Sequence, residues 1–210
     1  IVGASGSGKT TLVKLLLGYF APTSGNIFLG DTPLQDYDMT SWRHSCGVVL
    51  QDSHVFSESL ARNIAVEDKH IDRTRLRTAA RQANLEEFIE KLPLKYQTMV
   101  GAEGVGLSRG QEQRIFIARA LYKDPSFVFL DEATNSLDAN NERIITGNLL
   151  DFCKGRTVLI VAHRLSTIRH ADKIVVLHKG RIVEEGTHDE LCARHGHYYE
   201  LINNQLIAMG

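Results

Sequence analysis

One eight-residue stretch near the start limits what this chain can fold into: Gly3-Ala4-Ser5-Gly6-Ser7-Gly8-Lys9-Thr10 matches G-x-x-x-x-G-K-[ST] at every fixed position. It follows the apolar pair Ile1-Val2 and precedes Thr11-Leu12-Val13-Lys14-Leu15-Leu16-Leu17, so it reads as strand, glycine loop and helix. Glycines let successive backbone N–H groups turn inward around an anion without Cβ clashes. The helix that follows points its positive end at the same place. Such a loop cradles a polyphosphate, with Lys9 neutralising the β- and γ-phosphates and the Thr10 hydroxyl suited to Mg²⁺. Read as an ordinary Gly/Ser turn before an amphipathic helix, the stretch would leave its lysine and threonine as accidents.

A chain of 210 residues is long enough for one α/β domain with its own core, or one domain with a small insertion. The net charge of −1 gives no electrostatic argument for binding nucleic acid. Cys46, Cys153 and Cys192 are odd in number and share no metal-ligand spacing, so reduced structural thiols in a cytosolic setting are expected. No apolar run approaches the ~20 residues that cross a bilayer, and no secretory signal is visible. Any membrane role would then run through a partner or through further chain. Ile1-Val2 is shorter than the roughly 5–6 residues of a usual strand. The expectation is a fragment that begins inside a larger domain, with its N-terminal antiparallel strands missing.

Further along, the pattern alternates. A helix runs from the glycine loop to about Leu17, and Asn26-Ile27-Phe28-Leu29 before Gly30-Asp31 reads as a strand and tight turn. Thr40-Ser41-Trp42-Arg43 starts a short helix. Gly47-Val48-Val49-Leu50, Phe127-Val128-Phe129-Leu130 and Thr157-Val158-Leu159-Ile160-Val161 are continuous apolar runs, hence buried strands. Ser59 to Ala65 and two segments between Asp72 and Leu92, broken near Asn84, carry helical periodicity. Gly101, Gly104 and Gly106 mark a mobile loop, after which Ser108 caps a long helix. A further helix spans about Asn141 to Phe152. Ile174-Val175-Val176-Leu177 and Arg181-Ile182-Val183-Glu184 flank Lys179-Gly180 as a hairpin, and two helical pieces finish the chain. Apolar strands alternating with helices predict an α/β fold with a mainly parallel sheet covered on both faces. Ligands collect at the carboxyl ends of such strands, where Gln51, Asp131 and His163 fall.

Asp131 and Glu132 end the second of these strands. Beside a phosphate loop, the first acid holds Mg²⁺ and the second reaches the attacking water as general base. With these residues in place the whole chain resembles the ATP-binding cassette (ABC) ATPases, P-loop NTPases of α/β fold. Leu107-Ser108-Arg109-Gly110-Gln111 is similar to the family signature, Gln51 to its Q-loop, Asn135-Ser136-Leu137-Asp138 to its D-loop and His163 to its H-loop. The resemblance implies one ABC ATPase domain over 1–210, with a helical subdomain at about 53–122 between Q-loop and signature. It implies ATP and Mg²⁺ as ligands, with Gly3 through Thr11 on the nucleotide and Thr10, Gln51 and Asp131 around the metal. Glu132, His163 and Gln51 would serve hydrolysis. It also implies a homodimer of nucleotide-binding domains, head to tail, in which Ser108, Arg109, Gly110 and Gln111 of one copy contact the ATP of the other. Asp138 would couple the two sites at the seam.

Two departures stand out. Arg109 replaces the usual signature glycine, and a positive φ there would be costly for arginine. The family's adenine-stacking aromatic lies upstream of the loop, so Tyr19 and Phe20 are read as packing residues. His188, His195 and His197 lack a closed metal-site spacing and are read as structural. Arg73-Thr74-Arg75-Leu76-Arg77 is read as a solvated helix face.

The resemblance is to exporter domains. In the family, Ser53 to Ile64 lies under the membrane domain's coupling helices, with Phe56, Ser59 and Asn63 the expected contact surface. Asp52-Ser53-His54-Val55-Phe56-Ser57 and Ala61-Arg62-Asn63-Ile64 resemble exporters whose transmembrane domain is fused upstream in one polypeptide. Gly101-Ala102-Glu103-Gly104 and Leu137-Asp138-Ala139-Asn140-Asn141-Glu142 resemble bacterial peptide or bacteriocin exporters with a peptidase domain. The implied location is the cytoplasmic face of the bacterial inner membrane. The alternative is a soluble ABC-type ATPase acting on DNA or ribosomes. It is disfavoured by the absence of sustained heptads, of a second cassette and of basic extensions.

Overall fold

The computed structural model describes residues 1–66, 68–102, 104–162 and 168–209, with side chains described as far as residue 204. The chain forms two compact units, Ile1–Arg43 with Leu159–Gly210, and His44–Val158.

In the first unit, α1 (Lys9–Leu16) leaves the glycine loop with Val13 fully buried. Carbonyls at and just past its end are taken up by α2 (Met39–His44): Trp42 Nε1 donates to Leu16 O at 3.0 Å, and Arg43 donates to Leu17 O at 3.4 Å and Gly18 O at 3.1 Å. These bonds satisfy acceptors that a helix C-terminus otherwise leaves open. Between the helices, β1 (Phe28–Leu29) and β2 (Thr32–Pro33) make a small antiparallel pair. Ile1-Val2 is extended and held on both sides. Ala162 N–H donates to Ile1 O at 3.3 Å, while Val2 N–H donates to Val175 O at 2.9 Å and bridges Val176 in parallel. β6 (Ile174–His178) and β7 (Arg181–Gly186) form the predicted hairpin. Lys179 at φ 49° and Gly180 at φ 75° turn it, the left-handed pair that a two-residue hairpin loop requires. Val2, Ala162, Ile168, Ile174 and Val176 close a core with Leu191 of α8 (His188–Arg194) and Tyr198 and Ile202 of α9 (His197–Met209).

In the second unit, β3 (Cys46–Val49) pairs in parallel with β4 (Phe127–Asp131); β5 (Thr157–Val161), next to β4 in the strand order, begins in this unit and ends in the first. The apolar runs at β3 and β4 are almost wholly buried, as their sequence predicts. The β5 run is not: Thr157 is exposed and Val158 to Ile160 are half-buried, with only Val161 buried. Beyond β5, Ile1 takes the free side, its N-terminal ammonium donating to Ile160 O at 2.6 Å. The helices are α3 (Leu60–Ile64), α4 (Arg73–Gln82), α5 (Glu86–Glu90), α6 (Arg109–Lys123) and α7 (Ala139–Cys153). α6 packs on α3, α4 and β3 through Ile115, Phe116, Ile117 and Ala118. Asn84 takes φ 53° at the break between α4 and α5.

The stretch expected as a mobile loop, Gly101 to Gly106, is tied into the structure. Val105 N–H donates to Met99 O at 2.9 Å and Val100 N–H to Glu58 O at 3.0 Å. Gly101 is required there, because a Cβ would lie 2.9 Å from Phe56 O. Among the described residues no helix is long and apolar enough to cross a membrane.

Candidate functional site

The phosphate loop lies in the first unit, and the residues of the other motifs that can be described lie in the second. His163 and the residues through Thr167 are outside the described residues, as is Glu103.

α1 begins at Gly8, which has φ 101°. No side chain caps this helix, and its first turn carries no acidic residue. By contrast Ser59, Asp72, Ser108, Asp138 and Thr187 cap their own helices with side-chain oxygens. A helix N-terminus presents backbone donors and positive potential together, so it suits an anion supplied from outside the chain. Lys9 is buried, and its Nζ donates to Gly3 O at 2.9 Å and Ala4 O at 3.0 Å. Its charge therefore sits inside the curve of the loop. Ser7 is buried as well, and its Oγ has no hydrogen-bond partner among the described residues. At Gly6, φ 75°, a Cβ would meet nothing within 4 Å, so the loop is open on that side. The β6–β7 turn buttresses it: Gly180 N–H donates to Ser7 O at 3.0 Å. A Cβ at Gly3 would strike the Leu177 carbonyl. The donors, the buried cation and the orphan hydroxyl fit a polyphosphate. The buttressing hairpin was not legible in the motif.

In the second unit, β3 ends in a turn closed by Ser53 N–H on Leu50 O at 3.2 Å, which leaves Gln51 exposed at its tip. Asp131 is 1% exposed at the end of β4. Glu132, half-buried, follows with φ 54°, a left-handed backbone uncommon for a residue with a Cβ. Its carboxylate accepts from Asn135 Nδ2 at 2.7 Å. Its carbonyl accepts from Gln113 Nε2 at 3.0 Å, and Gln113 Oε1 accepts from Ser136 N–H at 2.9 Å.

Ser108 starts α6 with a reciprocal cap. Its Oγ accepts from Gln111 N–H at 3.3 Å, and its own N–H donates to Gln111 Oε1 at 2.8 Å. Arg109 is the first residue of that helix, is exposed, and does not have a positive φ. The strain expected for an arginine in the signature is thus absent, because helical φ suits any L-residue. Gly110 is needed for closeness: a Cβ would lie 3.3 Å from Ser136 O. Asp138 caps α7 through Asn141 N–H at 3.0 Å, and its bonds with Asn141 hold its carboxyl below the usual range. Asn141 Oδ1 also accepts from Asn84 Nδ2 at 2.7 Å, and Arg114 Nη1 donates to Asn84 O at 2.6 Å.

Two expectations about surfaces fail. Asn63 is fully buried and Ser59 nearly so, so of the three residues assigned to a membrane-domain contact only Phe56 is exposed. The amide of Asn63 is consumed by backbone bonds to Phe56, Glu58 and Ser59. Tyr19 and Phe20 are about half exposed, not packed in a core, and the Arg43 guanidinium lies over the Tyr19 ring at 5.4 Å. Near the C-terminus, His188 Nδ1 lies 2.8 Å from the hydroxyl of buried Tyr198, and the His178 and His197 rings stack at 5.1 Å. No cluster of metal-ligating side chains occurs among the described residues. Arg73, Arg75 and Arg77 are exposed around buried Leu76.

The family model described as "ABC transporter" matches residues 1–135. The chain belongs to the ABC transporter family. It is 47% identical over 201 residues to an ATP-dependent lipid A-core flippase of Chromohalobacter salexigens, covering 96% of this chain and 35% of the flippase. It is also 47% identical over 193 residues to a toxin RTX-I translocation ATP-binding protein of Actinobacillus pleuropneumoniae, covering 92% of this chain and 27% of that protein. Among solved structures, a bacterial Atm1-family ABC exporter with ATP bound superposes with a TM-score of 0.93 at 38% identity, covering 98% of this chain and 36% of the exporter. This ABC domain is the ATP-binding part of an exporter-type member, and it spans about a third of the length of the relatives it matches.

Proposed function

We propose that this ABC domain binds and hydrolyses Mg²⁺-ATP to drive export across the bacterial inner membrane from its cytoplasmic face. The observation that carries the reading is the start of α1, with no side-chain cap over a buried lysine. The loop Gly3 to Thr11 holds the phosphates of ATP, with Lys9 compensating the charge that builds on the β–γ bridge and γ-oxygens. Mg²⁺, when bound, offsets further charge on the phosphates, and Thr10, Gln51 and Asp131 are its ligands in this reading. Glu132 takes a proton from the attacking water, and His163 steadies the γ-phosphate.

Ser108, Arg109, Gly110 and Gln111 serve the ATP of a second copy. The exposed Ser108 and Arg109 at the start of α6 support that role, because a helix N-terminus presents backbone donors to an anion. Two copies then associate head to tail around two nucleotides, with Asp138 at the seam. Residues 1–210 form one ATPase domain, and about 53–122 its helical subdomain. A transmembrane domain fused upstream completes the transporter, and relatives roughly three times as long support this. The cargo is a peptide or another exported substrate. A flippase and a toxin translocator match at the same 47%, so the sequence of this domain follows the shared motor more closely than the cargo.

The test uses the full-length transporter. Glu132→Gln is expected to keep ATP binding, lower turnover by roughly a hundredfold or more and trap ATP-bound dimers. Turnover at the parent rate would sink the base assignment. Cysteines at Ser5 and Ser108 should cross-link between copies only when ATP is present.

A further inference from the structure

α6 reaches Glu132 through one side chain. Gln113 lies one turn beyond the Ser108 cap, and its amide is used at both ends: Nε2 donates to the carbonyl of Glu132 and Oε1 accepts from the N–H of Ser136. The residue so held is the one at φ 54°. A left-handed backbone at a glutamate costs free energy and persists only where surrounding bonds over-determine it. Asn135 adds a third contact, on the carboxylate itself. Gly110, on the same face of α6, lets the helix approach Ser136 closely enough for the clamp to close.

We infer that Gln113 is a positioning residue that sets the aim of Glu132 and makes it depend on the placement of α6. This rests on the proposed roles of Glu132 and Ser108. The start of α6 meets the nucleotide of the other copy, whereas Glu132 acts on the nucleotide of its own. A displacement of α6 therefore passes through the Gln113 amide into the backbone of Glu132, so engagement of one ATP adjusts hydrolysis of the other. The link is short and rigid: one side chain, two hydrogen bonds and a helix anchored by Ile115, Ile117 and Ala118, all with no exposed surface.

The test compares Gln113→Leu and Gln113→Met with Glu132→Gln in the full-length transporter, with turnover expressed per bound nucleotide so that unfolded protein does not count. Both Gln113 variants remove the two bonds while keeping an apolar stem of similar length. Each is expected to lower kcat by roughly tenfold and to leave the ATP dissociation constant and ATP-driven dimer formation within about twofold of the parent. A purely structural role would lower binding and turnover together. If Glu132→Gln abolishes hydrolysis while both Gln113 variants turn over within twofold of the parent, the clamp is wrong and the base assignment stands. If Glu132→Gln itself retains the parent rate, the underlying site reading fails first.

Discussion

The side-chain amide of Asn63 closes on the backbone of Phe56 from both directions, Oδ1 accepting its N–H at 2.8 Å and Nδ2 donating to its carbonyl at 2.9 Å. The same Nδ2 lies 3.2 Å from the carbonyls of Glu58 and Ser59. Arg119 of α6 holds the outer side, donating to Asn63 O at 2.9 Å with its guanidinium 5.1 Å from the Phe56 ring centroid. Burial pushes Arg119 down to about 10, so it remains cationic at neutral pH. The segment after Gln51 is thereby fastened to the signature helix from within.

This geometry makes Asn63 a stability residue. Replacing it with Ala or Leu strands the N–H of Phe56 and takes one of two donors from the carbonyls of Phe56, Glu58 and Ser59, which keep backbone N–H partners, at a cost of about 1–3 kcal/mol. Asn63→Asp keeps the acceptor for Phe56 N–H and loses the donors, so it is expected to be destabilising as well. Chemical unfolding monitored by circular dichroism reads these effects. A stability unchanged by Asn63→Leu would show that the amide network contributes nothing net.

Gly3 offers a test of the loop's buttress. A methyl group there would press on the Leu177 carbonyl of β6 and on Ser7 Oγ. Backbone cannot yield cheaply in a packed strand, so Gly3→Ala is expected to cost about 1–3 kcal/mol and to weaken ATP binding by displacing the loop. Gly6→Ala meets no atom, and its only penalty is the left-handed φ of 75°. Calorimetric titration of both variants with ATP should rank Gly3→Ala as the more damaging.

Much of the site is legible in the sequence, for a physical reason. The loop, the signature cap and the acidic strand end depend on residue types at fixed local spacing, which the chain displays directly. Ser108 with Gln111 is a capping box whose bonds span three residues, so it is visible as a string. What could not be read runs between segments far apart in sequence. Gln113 on Glu132, Gly180 on Ser7 and Arg119 on Asn63 join elements whose pairing only the fold decides. Asn63, placed by the family resemblance on a contact surface, is buried for the same reason: its amide substitutes for backbone partners inside the turn. Tyr19 and Phe20, read as packing residues, stand about half exposed, with the Arg43 guanidinium over the Tyr19 ring.

Cys46 gives a pH-dependent readout. Burial raises its thiol to about 11 from an ordinary value of 9.0. The folded state therefore holds the proton more tightly than the unfolded chain. Stability from this group is complete below about pH 9 and is lost as pH rises toward 11, where the unfolded thiol has already ionised. Native protein at pH 8 should leave Cys46 unmodified by iodoacetamide, while half-buried Cys192 reacts sooner. Cys46→Ala should flatten the alkaline fall in stability, and an identical fall would assign it to other groups.

Arg109 separates charge from strain. At the first position of α6 it carries positive charge next to the positive end of a helix, an unfavourable pairing of about 0.3–1 kcal/mol at low salt. Arg109→Gly removes that repulsion but gives up a better helix former, so the two changes nearly offset and stability should shift by under about 0.5 kcal/mol. The effect on ATP-driven dimers should differ. In the proposed head-to-tail dimer, an exposed guanidinium beside the signature would add attraction for the partner's nucleotide, and salt would screen that attraction. Dimer formation by the Arg109→Gly transporter is therefore expected to be a few-fold weaker at low ionic strength and equal to the parent near 0.5 M salt, where the screening length falls to about 4 Å. Sedimentation of the hydrolysis-blocked protein across a salt series measures both. Identical salt curves would remove any electrostatic role for this arginine.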